Sequence, residues 1–175
     1  TLDQVEATAR AMSRDGRRTV HHKFERQLEG DRFEAGNIAI GLEYRLLPQI
    51  NDEGMAIHVV SNVAGQEVEL LAFDCFENGP HYHYGPRNKN HRIYWDRTLV
   101  TDYLGWVLDK IDGKKLGAMI ERAGYPGIAA DLDQDMIDAV LPALTTKARE
   151  MLALGESLTG HPGLPADVTP HLVTD

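Results

Sequence analysis

The chain has 175 residues, of which 42% are hydrophobic and 26% charged, and its net charge is −9. That size suits one domain with room for an extension, and that balance excludes a wholly disordered chain or a chain of membrane spans. A single cysteine, Cys75, excludes an internal disulfide and any zinc site built on several cysteines, and it points to a reducing, cytoplasmic setting.

Leu2, Val5, Ala9 and Met12 recur at helical spacing, so Leu2 to Arg14 is predicted as a helix that Asp15-Gly16 ends. Thr19 to Gln27 is a charged candidate strand. Ile38, Ile40, Leu42, Tyr44 and Leu46 then alternate with Ala39, Gly41, Glu43 and Arg45, the period-two mark of a strand with one buried face. Pro48 and Asn51-Asp52-Glu53-Gly54 form a loop. Met55 to Val63 and Glu67 to Phe76 read as strands joined across Ala64-Gly65-Gln66, an antiparallel hairpin. A very short strand near His81 to Tyr84 and a last one over His91 to Trp95 complete a meander of roughly four or five strands.

The period changes at Thr98. Val100, Tyr103, Leu104, Val107, Leu108 and Ile111 lie on one helical face, with Gly113 as the stop. Leu116 to Ala123 reads as a shorter helix ended by Gly124. Asp135 to Ala153 forms one or two helices, because Pro142 either kinks the run or starts a new helix. Asp131-Leu132-Asp133-Gln134-Asp135 opens like a calcium loop, yet Met136 and Pro142 stand where glycine and glutamate are required, so an acidic helix start is expected. Cys75, within an apolar strand, reads as a buried small residue. The fold class is therefore α+β, an antiparallel β-meander sheet packed on a helix, with additional C-terminal helices. Residues 1–112 form the sheet domain with its N-terminal helix, 113–159 a helical extension and 160–175 an irregular tail.

Charge is uneven along the chain. Arg14 to Arg26 and Gly79 to Arg97 are each net basic, whereas Thr98 to Asp175 is net acidic. The second basic segment contains "GPHYHYGPRNKNHRIYWD". In a strand, His81 and His83 share one face and Tyr82 and Tyr84 the other. Two imidazoles on one face can ligate a divalent metal through His81 and His83, with His91, Asp74, Glu77 or Asp96 to add a ligand. They can equally act as base and acid. Phosphodiester cleavage without metal needs a base, an acid and a cation, which His81, His83, His91 and Arg87 supply, beside Lys89 and Arg92. Tyr82, Tyr84, Tyr94 and Trp95 offer stacking surfaces for single-stranded RNA. The third reading is a plain hairpin shaped by its Gly-Pro steps. His21-His22 lie in a basic run that could border the same cluster. No cofactor is required outside the metal reading, and no membrane segment or secretory leader is expected.

Phe73-Asp74, His81-Tyr82-His83, Tyr94-Trp95 and Asp102-Tyr103 follow the order of motifs in the TumE-like toxins of bacteria and archaea, which this chain resembles over roughly residues 30–112. The resemblance implies a toxin that acts on RNA and is paired with a helix-turn-helix antitoxin. The N-terminal helix, the acidic helical extension and Pro80 before His81 depart from that pattern. A non-enzymatic scaffold whose acidic helices dock a protein partner, or a homo-oligomer, is the alternative.

Overall fold

The computed structural model describes residues 31–85 and 89–159. The expected N-terminal helix, the charged strand with His21-His22, the tail and Arg87 lie outside the described residues.

Six strands form one sheet in sequence order, β1 to β6, and every neighbouring pair is antiparallel. They are β1 (Arg32–Ala35), β2 (Ile38–Leu47), β3 (Asp52–Val63), β4 (Gln66–Phe76), β5 (His81–Tyr84) and β6 (Arg92–Tyr94). Helices α1 (Tyr103–Asp112), α2 (Leu116–Arg122), α3 (Pro126–Ala130) and α4 (Gln134–Thr159) follow. The fold is α+β as the pattern implies, with β1 and α3 added to what periodicity located. Both are short, four and five residues, too short for a period to register.

The alternation in β2 has the predicted effect. Ile38, Ile40 and Leu42 join Met55, Ile57, Val59, Leu71 and Phe73 on the face that the helices cover. Leu104, Val107, Leu108 and Ile111 of α1 pack into this core, as do Leu116 and Ile120 of α2 and Ile137, Leu144 and Ala148 of α4. Burying one such side chain stabilises the fold by about 1.5–3 kcal/mol. Beyond residue 112, α2 and α4 share the core of the sheet with α1.

The β3–β4 hairpin turns on Ala64 and Gly65, both at positive φ (51° and 80°). That is the geometry of a two-residue turn whose twist matches the strands it joins. Gln66, expected in the turn, already belongs to β4. The loop expected at Asn51 to Gly54 is shorter than its composition suggests. A 3-10 turn, Pro48–Ile50, ends on Asn51 in the left-handed region, and β3 starts at Asp52. The α1 helix begins at Tyr103 rather than Thr98, because the Asp102 carboxylate accepts the Gly105 N–H at 2.8 Å and caps it there. In α4, Asp133 accepts the Met136 N–H at 3.0 Å, the acidic cap expected of this run. Pro142 lies inside one continuous helix. No described helix is long and apolar enough to cross a membrane.

The opposite face of the sheet carries the polar alternates. Register pairs Gly41 with His58 and Ala72, and Glu43 with Ala56 and Asp74. A bulge at Val59/Val60 sets Glu69 opposite Val60 on this same face. Asp74 faces His81, which faces Tyr94; Ala72 faces His83, which faces Arg92. Period two predicts solvent here, yet Glu43, His58, Asp74 and His81 are all buried.

A candidate metal centre on the polar face

Burying charge is costly unless it is paired, so each buried polar group on this face has a partner to identify. His58 Nδ1 lies 2.9 Å from Glu69 Oε2, and its Nε2 lies 3.5 Å from Glu43 Oε2. Burial alone would lower the affinity of this imidazole for its proton. The bonds to Glu43 and Glu69 and their negative charge outweigh burial and lift its pKa to about 9. His58 is therefore an imidazolium at neutral pH. Sequence alone does not reveal this cluster, because a single histidine in an apolar strand carries no spacing signal.

The second cluster lies on β4 and β5. Asp74 Oδ2 is 3.1 Å from His83 Nε2 and 3.3 Å from His81 Nε2, and the two Nε2 atoms are 3.1 Å apart. Three potential ligand atoms thus form a nearly equilateral triangle. The arrangement follows from register. Asp74 and His81 are direct partners, and His83 is two residues along the same face.

The connection into β5 fixes the first imidazole. Asp52 accepts the N–H groups of Asn78 and Gly79 at 2.9 and 2.8 Å, which holds the turn before Pro80. The Gly79 carbonyl, 2.6 Å from His81 Nδ1, can only accept, so Nδ1 carries the proton. In a neutral ring the Nε2 lone pair then points at the triangle. Tyr94 packs against the His81 ring at 5.0 Å with the planes tilted by 35°, and Phe76 meets it edge-on at 6.1 Å.

Burial by itself would raise the Asp74 pKa. The hydrogen bonds from His81 and His83, with the charge of Arg45 and His83, more than reverse this and hold the carboxyl well below its ordinary range. Asp74 is ionised. With Nδ1–H given to Gly79, the Nε2 of His81 donates to Asp74 only when the ring carries a second proton; as a neutral ring it sets a lone pair against the carboxylate at 3.3 Å. Asp74 Oδ1 is buried without a hydrogen-bond partner, and Arg45 Nη1 is its nearest cation at 3.7 Å. In the neutral-ring state the three atoms lack a positive charge between them, which a proton or a metal ion can supply.

A cation fits that shortage. Ligand atoms bonded at about 2.1 Å are spaced about 3.4 Å apart around a tetrahedral ion and about 3.0 Å around an octahedral one. The observed edges of 3.1–3.3 Å fall between. Two imidazoles and one carboxylate suit zinc, iron(II) or manganese, and three protein ligands on one side leave positions open.

The structure brings together His81 and His83 and selects Asp74 from the acids considered as further ligands. It does not bring His91 to them. His91 gives its carbonyl to the Tyr84 N–H and its ring to Tyr84 at 5.4 Å, on the helix face, where Tyr84 also receives Arg122. Arg92, the next residue, faces His83 instead. Sequence alone does not single out Arg45, although it is in phase with Glu43 in the β2 alternation.

A family model described as a domain of unknown function, DUF7700, matches residues 32–148, more than half of the chain. The chain belongs to this family. The DUF7700 match begins on β1 and ends within α4, so it takes in the whole sheet, both polar clusters and the helices that share its core. No curated protein and no solved structure matches the chain.

Proposed function

We propose that this DUF7700 protein binds one first-row divalent metal ion through Asp74 Oδ2, His81 Nε2 and His83 Nε2, and that the ion keeps open positions for water and a ligand. The observation that carries this reading is the triangle of ligand atoms with edges of 3.1–3.3 Å. Its surroundings support it. A metal-ligating histidine usually donates its other N–H to a carbonyl or carboxylate, and His81 gives Nδ1–H to Gly79. Arg45 approaches the other oxygen, Oδ1, at 3.7 Å and leaves Oδ2 to the imidazoles. A site with three protein ligands is of the catalytic kind, in which the ion acts as a Lewis acid and lowers the pKa of bound water.

Metal-free RNA cleavage draws less support from the same geometry. In-line displacement needs base and acid on opposite sides of the phosphorus, and two imidazole nitrogens 3.1 Å apart are on one side. The likeness to TumE-like toxins rests on the motif residues alone.

The test is direct. Apo-protein titrated with Zn²⁺, Fe²⁺ or Mn²⁺ by calorimetry should take up one equivalent, and Asp74→Asn and His83→Ala should lose it while keeping the wild-type circular dichroism spectrum. Substoichiometric uptake of all three ions by the wild type would overturn the proposal.

A further inference from the structure

We infer that the open side of the triad takes a phosphate group, held between the ion and Arg92; this rests on the metal reading above. Arg92 is the cross-strand partner of His83 and stands on the same face of the sheet. Its Nε donates to Asn90 Oδ1 at 3.1 Å, and its Nη1 donates to the hydroxyl of Tyr94, whose ring packs against His81, at 3.4 Å. Those two bonds hold the guanidinium to its own strand edge, one cross-strand position from His83. Among the described residues Arg92 has no carboxylate partner, and it is exposed. Its outer N–H groups therefore face solvent at the edge of the site.

The charge count favours an anion at this spot. Asp74 is balanced by Arg45, and the imidazoles are neutral when they ligate, so a divalent ion leaves the triad positive with Arg92 adding to it. Arg45 is already engaged by Asp74 and by the Phe76 ring at 5.6 Å, so among the described residues Arg92 is the guanidinium on this face left to receive a ligand. Geometry then distinguishes anions. A carboxylate that gives one oxygen to the ion has a single oxygen left for the guanidinium and loses the two-oxygen fork. A phosphate group has enough for both.

The experiment uses the full chain loaded with Co²⁺, whose visible bands report changes at the ion. Inorganic phosphate should shift those bands saturably, and acetate at the same concentration should not. Arg92→Gln should weaken phosphate at least about tenfold while Co²⁺ uptake stays at one equivalent, and Arg92→Lys should fall between. Adenosine monophosphate and a uridine hexanucleotide, compared at equal phosphate, separate a small phosphorylated compound from an RNA strand; tighter binding of either identifies the source. Phosphate without effect, acetate equal to phosphate, or Arg92→Gln equal to the wild type would each overturn the inference. A wild-type chain that takes up no Co²⁺ would instead remove the metal reading beneath it.

Discussion

Arg45 Nη1 lies 3.7 Å from Asp74 Oδ1, the one oxygen of that buried carboxylate with no hydrogen bond. The two residues are on different strands, with β3 between them. The guanidinium also covers the Phe76 ring, so it is held at both ends. Arg45 compensates Asp74 without touching the triangle of ligand atoms. Replacing it with methionine keeps the apolar stem and removes the charge. We expect Arg45→Met to weaken metal affinity about 10–100-fold with stoichiometry unchanged, read by competition with a chelator. An affinity equal to wild type would show that Arg45 has no part in setting the site.

His91 and His83 make opposite predictions from adjacent places on the sheet. His83→Ala removes a ligand and should abolish stoichiometric metal uptake. His91→Ala touches only the helix side and should leave uptake unchanged. Calorimetric titration of both variants checks the pair, and loss of binding in His91→Ala would return that residue to the site.

These two histidines also mark where the sequence stops being informative. That His81 and His83 share a face follows from period two and needs no tertiary information. Whether His91 joins them depends on the register across the β5–β6 turn. His83 pairs with Arg92, so His91 falls on the other face; a slip of one residue would reverse this. Asp74 was one of several acids in range, and only the β4–β5 pairing, set by the turn that Asp52 holds, selects it. The strands β2, β3 and β4 were legible because they are long and alternate. The burial of their polar face was not, since alternation with Glu43, His58 and Asp74 reads as solvent unless their ion partners are known.

The His58 cluster gives stability a pH dependence of definite sign. The folded pKa, about 9, is above the ordinary 6.5, so folding favours the protonated form. The stabilisation is fully present below about pH 6.5 and is lost as pH rises through about 9. Its size is on the order of 3 kcal/mol, from the width of that interval. Urea midpoints measured from pH 6 to 10 should fall for the wild type and fall less for His58→Gln, which isolates this group from other groups that titrate there. Parallel curves would refute the assignment.

Asp102 joins two elements at once. Its Oδ1 caps α1 through Gly105 N–H, and its two oxygens receive Arg149 of α4 at 3.1 and 2.8 Å. Both groups are substantially exposed, so the ion pair contributes little and the cap dominates. Asp102→Ala should cost about 1 kcal/mol, and Asp102→Asn, which still caps, clearly less. Thermal unfolding of the two variants decides between cap and ion pair. Equal losses would mean that the charge, and not the cap, carries the effect.

Gly54 offers the sharpest test of backbone constraint near the site. It lies within β3 at φ +150°, and a Cβ there would come within 2.3 Å of the Cys75 carbonyl oxygen, next to Asp74. The obstacle is backbone, so no side-chain rotation relieves it, and β3 and β4 must separate locally. Gly65, in the hairpin turn, has φ +80° with open space around it. Gly65→Ala should therefore cost only about 1 kcal/mol, the conformational penalty alone. Gly54→Ala should cost several times more, about 3–4 kcal/mol, and should also weaken metal binding because Asp74 shifts with its strand. Chemical denaturation gives the first quantity and metal titration the second. A Gly54→Ala variant as stable as Gly65→Ala would mean that β3 and β4 yield at this point, and the position of Asp74 would then not depend on their close approach.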